Sequence, residues 1–225
     1  MIVAIDGPAG SGKSTVAKKA AQILGFRYLD TGAMYRAIAT RARDLGIDYG
    51  DAEGLQTIAR RDGIEFGFDE GDVLPSRIFI AGIEVTQDIR TPQIDRAVSP
   101  VSACGLVREA LVAQQRALAE RYDFVVEGRD IGTVVFPDAA VKVFLTAGSQ
   151  ERARRRAAQN LERGLDADFD AVLDDIVRRD QYDSTRELSP LKPAEDAVII
   201  DSTIMTIDYA TNLVVELANK AGARL

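Results

Sequence analysis

The segment Gly7 to Thr15 reads GPAGSGKST and carries the spacing G-x-x-x-x-G-K-S directly after the apolar run Ile2-Val3-Ala4-Ile5. Gly7, Gly10 and Gly12 let the backbone bend until successive N–H groups point inward at an anion, and a helix starting near Lys13 adds the positive end of its dipole. Lys13 is then set against the β- and γ-phosphates of a nucleoside triphosphate, and the Ser14 hydroxyl against Mg²⁺. A glycine-rich turn with a surface lysine is the plainer alternative, but strand, glycine spacing, Lys-Ser pair and helix all agree on a phosphate-binding loop. Gly7, Pro8, Ala9, Gly10, Ser11, Gly12, Lys13, Ser14 and Thr15 are accordingly the expected binding site of the phosphoryl donor.

The other candidate groups are mostly arginines. Gln150 to Arg163 reads as a helical segment whose five arginines outnumber its two glutamates, and Arg152, Arg155 and Arg156 at i, i+3 and i+4 share one face. On its own this is a solvated helix with a Glu151–Arg155 ion pair worth roughly 0.2–0.5 kcal/mol. Following a phosphate-binding loop, it reads as a lid that closes over ATP and supplies arginines to the transferring phosphoryl group, a contribution of about 10³–10⁵ in rate. Asp30-Thr31-Gly32 ends a strand and caps the next helix, and Arg36, one turn in, can reach back to an acceptor phosphate. In Gly128-Arg129-Asp130 the charged pair is either an internal salt bridge or a ligand contact for which the adjacent glycines leave room. Arg179, Asp183 and Arg186 fall at i, i+4 and i+7 of a predicted helix. They form either a surface ladder with Asp175 or a stripe facing the phosphate and ribose of a ligand.

Histidine is absent and Cys104 is the one cysteine, so His-dependent nucleophile activation, His-ligated metals, a disulfide framework and a cysteine zinc site are all unavailable. Phosphoryl transfer needs none of these, because it relies on positioning and on positive charge around a spreading negative transition state.

Positioning such groups requires a sheet, and the chain alternates strand-like and helix-like stretches in the manner of a parallel sheet covered on both faces. Ile2-Ile5, Arg27-Asp30, Phe124-Glu127, Val141-Leu145 and Val198-Asp201 are the expected core strands. Each runs into a polar or glycine-rich segment, and ligands of open α/β sheets sit beyond the carboxyl ends of the strands, so these segments should meet at one crevice. Residues 64–86 break the alternation with the β-type runs Ile64-Phe68 and Arg77-Val85, which reads as a small antiparallel insert. At 225 residues and 46% hydrophobic, the chain can bury a sizeable core in one domain carrying insertions. A formal charge of -7 argues against a general nucleic-acid or anionic-membrane binder. No basic leader or stretch approaching about 18 apolar residues is present, so the expectation is a soluble, cytoplasmic protein.

GPAGSGKST, DTGAMYRA, GRDIGTVVFP, ERARRR and RRDQYDSTRELSPL, in this order and spanning essentially the whole chain, closely resemble the bacterial cytidylate kinases. The resemblance implies a P-loop core with a five-stranded parallel sheet flanked by helices, an antiparallel monophosphate-binding insert and a helical lid. It divides the chain into core at 1–36, 101–148 and 169–225, a monophosphate-binding region at 37–100 and a lid at 149–168. It implies ATP as phosphoryl donor, Mg²⁺, and CMP or dCMP as acceptor, in a protein that works as a monomer. Arg36, Arg129 and Arg186 would grip the CMP phosphate; Ser99, Arg108 and Asp130 would face cytosine; Arg179 and Asp183 would hold the ribose. Thr31 stands where many relatives have serine, keeping a hydroxyl. Cys104-Gly105-Leu106 departs from a proline-containing version in some relatives, and Cys104 is expected to be a small buried residue.

The expected reaction is in-line transfer of the γ-phosphoryl of MgATP to the α-phosphate of CMP or dCMP. Lys13 would hold the donor, and Arg129, Arg152, Arg155 and Arg156 are the candidates for neutralising the developing charge. Asp6, Glu127 and Asp130 are the candidate second carboxylates near Mg²⁺. Two rivals stand beside this reading. One is a kinase of alcohols using Asp30 or Asp130 as base; the other is a nucleotide-switched binding protein, although no N-K-x-D motif is present.

Overall fold

Alternation along Ile2–Asp6 (β1) explains how the core divides. Val3 and Ile5 point to one face of the sheet and belong to one hydrophobic cluster, and Ala4 points to the other face and belongs to the second. The structure, a computed structural model, describes residues 1–162, 164–165 and 167–223. Arg163, within the expected lid, lies outside the described residues.

Elements continue as α1 (Lys13–Leu24), β2 (Arg27–Asp30), α2 (Thr31–Leu45), α3 (Ala52–Arg61), β3 (Ile64–Phe68), β4 (Pro75–Ile80) and β5 (Ile83–Glu84). After them come α4 (Pro92–Ala103), α5 (Gly105–Ala119), β6 (Phe124–Gly128), β7 (Val141–Thr146), α6 (Ser149–Glu162), α7 (Phe169–Thr185), β8 (Val198–Asp201) and α8 (Ile207–Lys220). The five strands expected from the sequence form one parallel sheet in the order β2-β6-β1-β7-β8. Helices α1 and α8 cover the face of Val3, Ile5, Val125, Val143 and Leu145. Residues of α2, α3, α4 and α5 bury Ala4, Leu29 and Val126 on the other. Each fully buried Leu or Ile in these clusters contributes about 1.5–3 kcal/mol relative to exposure.

The insert is a three-stranded antiparallel sheet, β3-β4-β5. Here the structure corrects the expectation of one run from Arg77 to Val85, because the chain reverses at Ala81 and Gly82, whose φ values are 51° and 72°. Two successive left-handed residues make the turn whose twist matches flanking antiparallel strands. The other end of the insert is tied to the core. The Arg27 guanidinium lies 4.7 Å from the Phe68 ring centre and 3.5 Å from that of Tyr122, and the Tyr28 N–H donates to Val73 O at 2.9 Å.

Three further expectations shift. Arg186 follows the last residue of α7 in extended geometry (φ -61°, ψ 140°), so it leaves the stripe occupied by Arg179 and Asp183. The partner of Asp175 is Arg178 rather than Arg179. Cys104 is only half-buried, because it forms the non-helical joint between α4 and α5.

Candidate active site

All five strand ends converge and are tied together. Gly7 leaves β1 at φ 148°, and a Cβ there would stand 2.0 Å from Leu145 O of β7, so only glycine fits where the loop turns. The loop then wraps toward α1 with Gly10 and Gly12 at φ 77° and 90°. Ser11 Oγ donates to Pro8 O at 3.0 Å, and Lys13 Nζ to the same oxygen at 2.7 Å. Across from it, Ser14 Oγ donates to Glu127 Oε2 at 3.0 Å, Tyr28 Oη donates to Glu127 Oε1, and Thr31 Oγ1 donates to Glu127 O at 2.7 Å. On the other side Ser202 Oγ donates to Ser11 O at 3.0 Å, and its N–H to Thr146 O at 2.8 Å.

Burial, then the neighbouring Arg129, holds the Lys13 ammonium below its usual pKa. A polyphosphate beside it would have the opposite effect. Burial, followed by Asp30, pushes the Glu127 carboxyl up, against the pull of Lys13, Tyr28 and Ser14. The Asp6 carboxylate accepts from the N–H groups of Ile131 and Gly132 at 2.8 and 2.7 Å, which fixes the wide turn Ile131–Val135 after β6. Burial outweighs those two bonds and raises its pKa from 3.8 to about 6. A carboxyl raised on folding is protonated more readily in the folded state, so its stabilising contribution is full below about pH 4 and lost as pH rises through about 6. Wild type should therefore lose stability relative to Asp6→Asn across that window in urea titrations. A difference that stays constant with pH would show that Asp6 is not its source.

The arginines expected at the acceptor site surround the same crevice. Arg129 Nε donates to Asp183 Oδ2 at 3.0 Å, placing the end of β6 against α7. Arg108 Nη2 donates to Asp130 Oδ2, with Nη1 on Ser102 O at 3.2 Å and Nε on Ser189 Oγ at 3.2 Å. Arg186 Nε donates to Ser189 O at 2.5 Å, and its Nη2 lies 3.9 Å from Asp130 Oδ1. Arg36 pairs with Asp95 of α4 and reaches Ile89 O at 3.3 Å. Ser99 lies one turn beyond Asp95 on α4, half-buried. Among the described residues, Arg179 Nε and Arg186 Nη2 are buried donors without a protein hydrogen-bond partner. Burial, then Arg129, pulls the Arg179 guanidinium down to about 10. Several close guanidiniums with unsatisfied donors form a strong anion site.

The three arginines of α6 expected to share one face part company. Arg152 is buried, with Nε on Ala147 O at 2.7 Å, Nη1 on Ala9 O at 3.2 Å and an ion pair to Asp180 at 2.6 Å. Arg155 holds Ser202 O at 2.6 Å and Ser11 O at 3.4 Å, besides the expected Glu151 at 3.0 Å. Both therefore brace the phosphate-binding loop. Arg156 turns toward α4 and pairs with Asp95 at 2.8 Å, on the carboxylate that also holds Arg36. Sequence reasoning missed Asp95 and Tyr28, while Ser202 lies in one of the strand-end segments expected to meet at the crevice; the spacing of Asp95 one helical turn before Ser99 was the available signal for the first.

A phosphate-binding loop, a carboxylate beside its serine and a facing arginine cluster, on a 2-3-1-4-5 parallel sheet when its five strands are counted in chain order, define an enzyme of the P-loop kinase class. A family model described as cytidylate kinase matches residues 3–220. The chain is 48% identical to the cytidylate kinase of Shouchella clausii over 97% of this chain and 96% of that protein. It is also 48% identical to that of Corynebacterium glutamicum over 100% of this chain and 96% of that protein. Among solved structures, an uncharacterised protein from Eubacterium ventriosum superposes with a TM-score of 0.51 at 17% identity, covering 98% of both chains, a likeness of fold. The chain belongs to the cytidylate kinase family.

Proposed function

We propose that this protein transfers the γ-phosphoryl group of MgATP to CMP or dCMP, giving ADP and CDP or dCDP. The observation that supports the proposal is the nearness of the glycine-bent loop to the arginine cluster: the charges of Arg129 and Arg179 both act on Lys13, and that of Arg36 acts on Arg179. The loop amides and Lys13 bind the donor phosphates, and Arg36, Arg129 and Arg186 bind the acceptor phosphate. Ser14 and Glu127 suit a hard divalent cation, since the Glu127 oxygens hold only the rotatable hydroxyls of Ser14 and Tyr28, whereas Asp6 is engaged by two fixed backbone N–H groups and Asp130 by the Arg108 guanidinium. Magnesium held at that pair would supply positive charge that neutralises the donor phosphates. Asp130 and Arg108, kept in register by Ser102 and Ser189, would read cytosine together with Ser99; Arg179 and Asp183 would hold the ribose.

The region 37–100 and the lid 149–168 close over the two nucleotides and exclude water, which limits ATP hydrolysis without an acceptor. The protein acts as a monomer on small molecules in the cytoplasm, without nucleic-acid or membrane partners. Its net charge of -7 supports the exclusion of nucleic acid, and no helix of the described residues is long and apolar enough to cross a membrane.

A coupled assay of ADP formation from MgATP tests the proposal with CMP, dCMP, UMP, AMP and shikimate as acceptors. Rates should be highest with CMP and dCMP, and Asp130→Ala should reduce the CMP-to-UMP ratio of kcat/KM by about tenfold or more. Preferred turnover of shikimate would establish the alcohol-kinase rival, and an unchanged ratio would remove Asp130 from base recognition.

A further inference from the structure

Asp95 is a charged group at the crevice to which neither donor nor acceptor binding gives a task. It lies in the first turn of α4, where the helix dipole favours an acid, and that would account for a carboxylate at this position. It does not account for the use of both oxygens. Oδ1 accepts from Arg36 of α2, and Oδ2 accepts from Arg156 of α6 at 2.8 Å. Burial alone would raise the Asp95 carboxyl, but Arg36, Arg156 and, more distantly, Arg179 of α7 outweigh it and hold the group below the usual carboxylate range.

Three guanidiniums from three helices thus surround one carboxylate. Arg36 and Arg156 repel each other, and Arg156, with a third of its side chain exposed, would relax outward into solvent without an anion between them. The same carboxylate also opposes the approach of a phosphate to Arg36. Tighter acceptor binding is therefore not what Asp95 provides. What the bridge does provide is a fixed place for Arg156 beside the acceptor-phosphate arginine, while Arg152 and Arg155 are turned toward the loop.

We propose that Asp95 is a positioning residue for phosphoryl transfer: it bridges Arg36 on the acceptor side to Arg156 on the lid and so delivers the lid arginine to the transfer point. The inference rests on the reading of Arg36 as a ligand of the acceptor phosphate. Asp95 contributes to kcat and contributes nothing to CMP affinity.

The test is a double-mutant cycle of Asp95→Asn with Arg156→Ala, measuring kcat at saturating MgATP and CMP, and CMP binding by calorimetry. Asp95→Ser runs in parallel so that poor folding of one variant, followed by circular dichroism, does not end the test. Asp95→Asn should lower kcat about ten- to hundredfold, the range associated with a misplaced catalytic contact. The CMP dissociation constant should stay within about threefold of wild type or tighten, and in the Arg156→Ala background the Asp95 substitution should change kcat by less than about twofold. Independent, multiplying effects of the two substitutions would overturn the proposal. So would weakened CMP binding with kcat intact, or an Arg156→Ala variant of normal kcat. Arg36→Ala separates this from the underlying reading: unaltered CMP binding in that variant would refute the acceptor site itself, whatever Asp95 does.

Discussion

Lys13→Ala is expected to lower kcat by about a thousandfold or more, with the fold intact. The ammonium is buried at the mouth of the loop, held on Pro8 O at 2.7 Å and flanked by Arg129, Glu127 and Asp6. Its desolvation is the reason for the size of the effect. A cation kept out of water needs little reorganisation when charge moves onto the bridging oxygen between donor phosphates, so its field acts at nearly full strength. Removing it should not unfold the chain. Glu127 keeps Tyr28 and Ser14, and Asp6 keeps its two backbone donors. Steady-state kinetics together with a thermal melt check both halves. A near-normal kcat would mean that the donor's phosphates lie elsewhere, and a collapsed melting curve would mean that Lys13 is structural.

The second large effect belongs to Arg129. It stands where β6 ends, close enough to Lys13 to be the leading charged influence on it, and its Nε holds Asp183 at 3.0 Å. One guanidinium therefore adjoins both Lys13 and Asp183, the proposed donor and acceptor sides. Arg129→Ala should raise KM for CMP and lower kcat together, for a combined loss in kcat/KM of about a thousandfold. Asp183 is buried, so truncation also strands a carboxylate without its partner, and part of any loss could come from the fold. Arg129→Lys separates the two causes. It restores a charge near Asp183 but not the planar fork that grips a phosphate bidentately, so stability should recover while catalysis stays at least about tenfold down. Full catalytic recovery with lysine would reduce Arg129 to a point charge.

The sheet was legible because each strand carries its own signal: a short apolar run that stops at a polar or glycine-rich segment, as at Ile5-Asp6-Gly7 and Leu29-Asp30-Thr31. The phosphate-binding loop was legible for the same reason, its conformation being dictated by glycines inside it. What remained hidden depends on residues distant in sequence. Tyr28 and Glu127 are 99 positions apart, and Arg156 and Asp95 are 61 apart. No local periodicity encodes such pairs. The arginine face of α6 illustrates the limit well: spacing grouped Arg152, Arg155 and Arg156 together, but the helix packs against α7 and the loop so that two guanidiniums brace carbonyls and one crosses to α4. The turn at Ala81-Gly82 was missed for the opposite reason. The small-residue pair that reverses the chain lies between two apolar runs that read equally well as one strand.

The stacking of Arg27 between Phe68 and Tyr122, with the Val73 carbonyl bonded to the neighbouring Tyr28, bears on how nucleotides come and go. A flap riveted to the flank of the main sheet cannot act as a free-swinging door. Any closing of the region 37–100 must then bend between that rivet and the cleft, where α4 carries its internal Pro100, with the tethered end of the hairpin as pivot. The Tyr28 N–H bond to Val73 O also covers part of the outer margin of β2, an edge strand of the sheet.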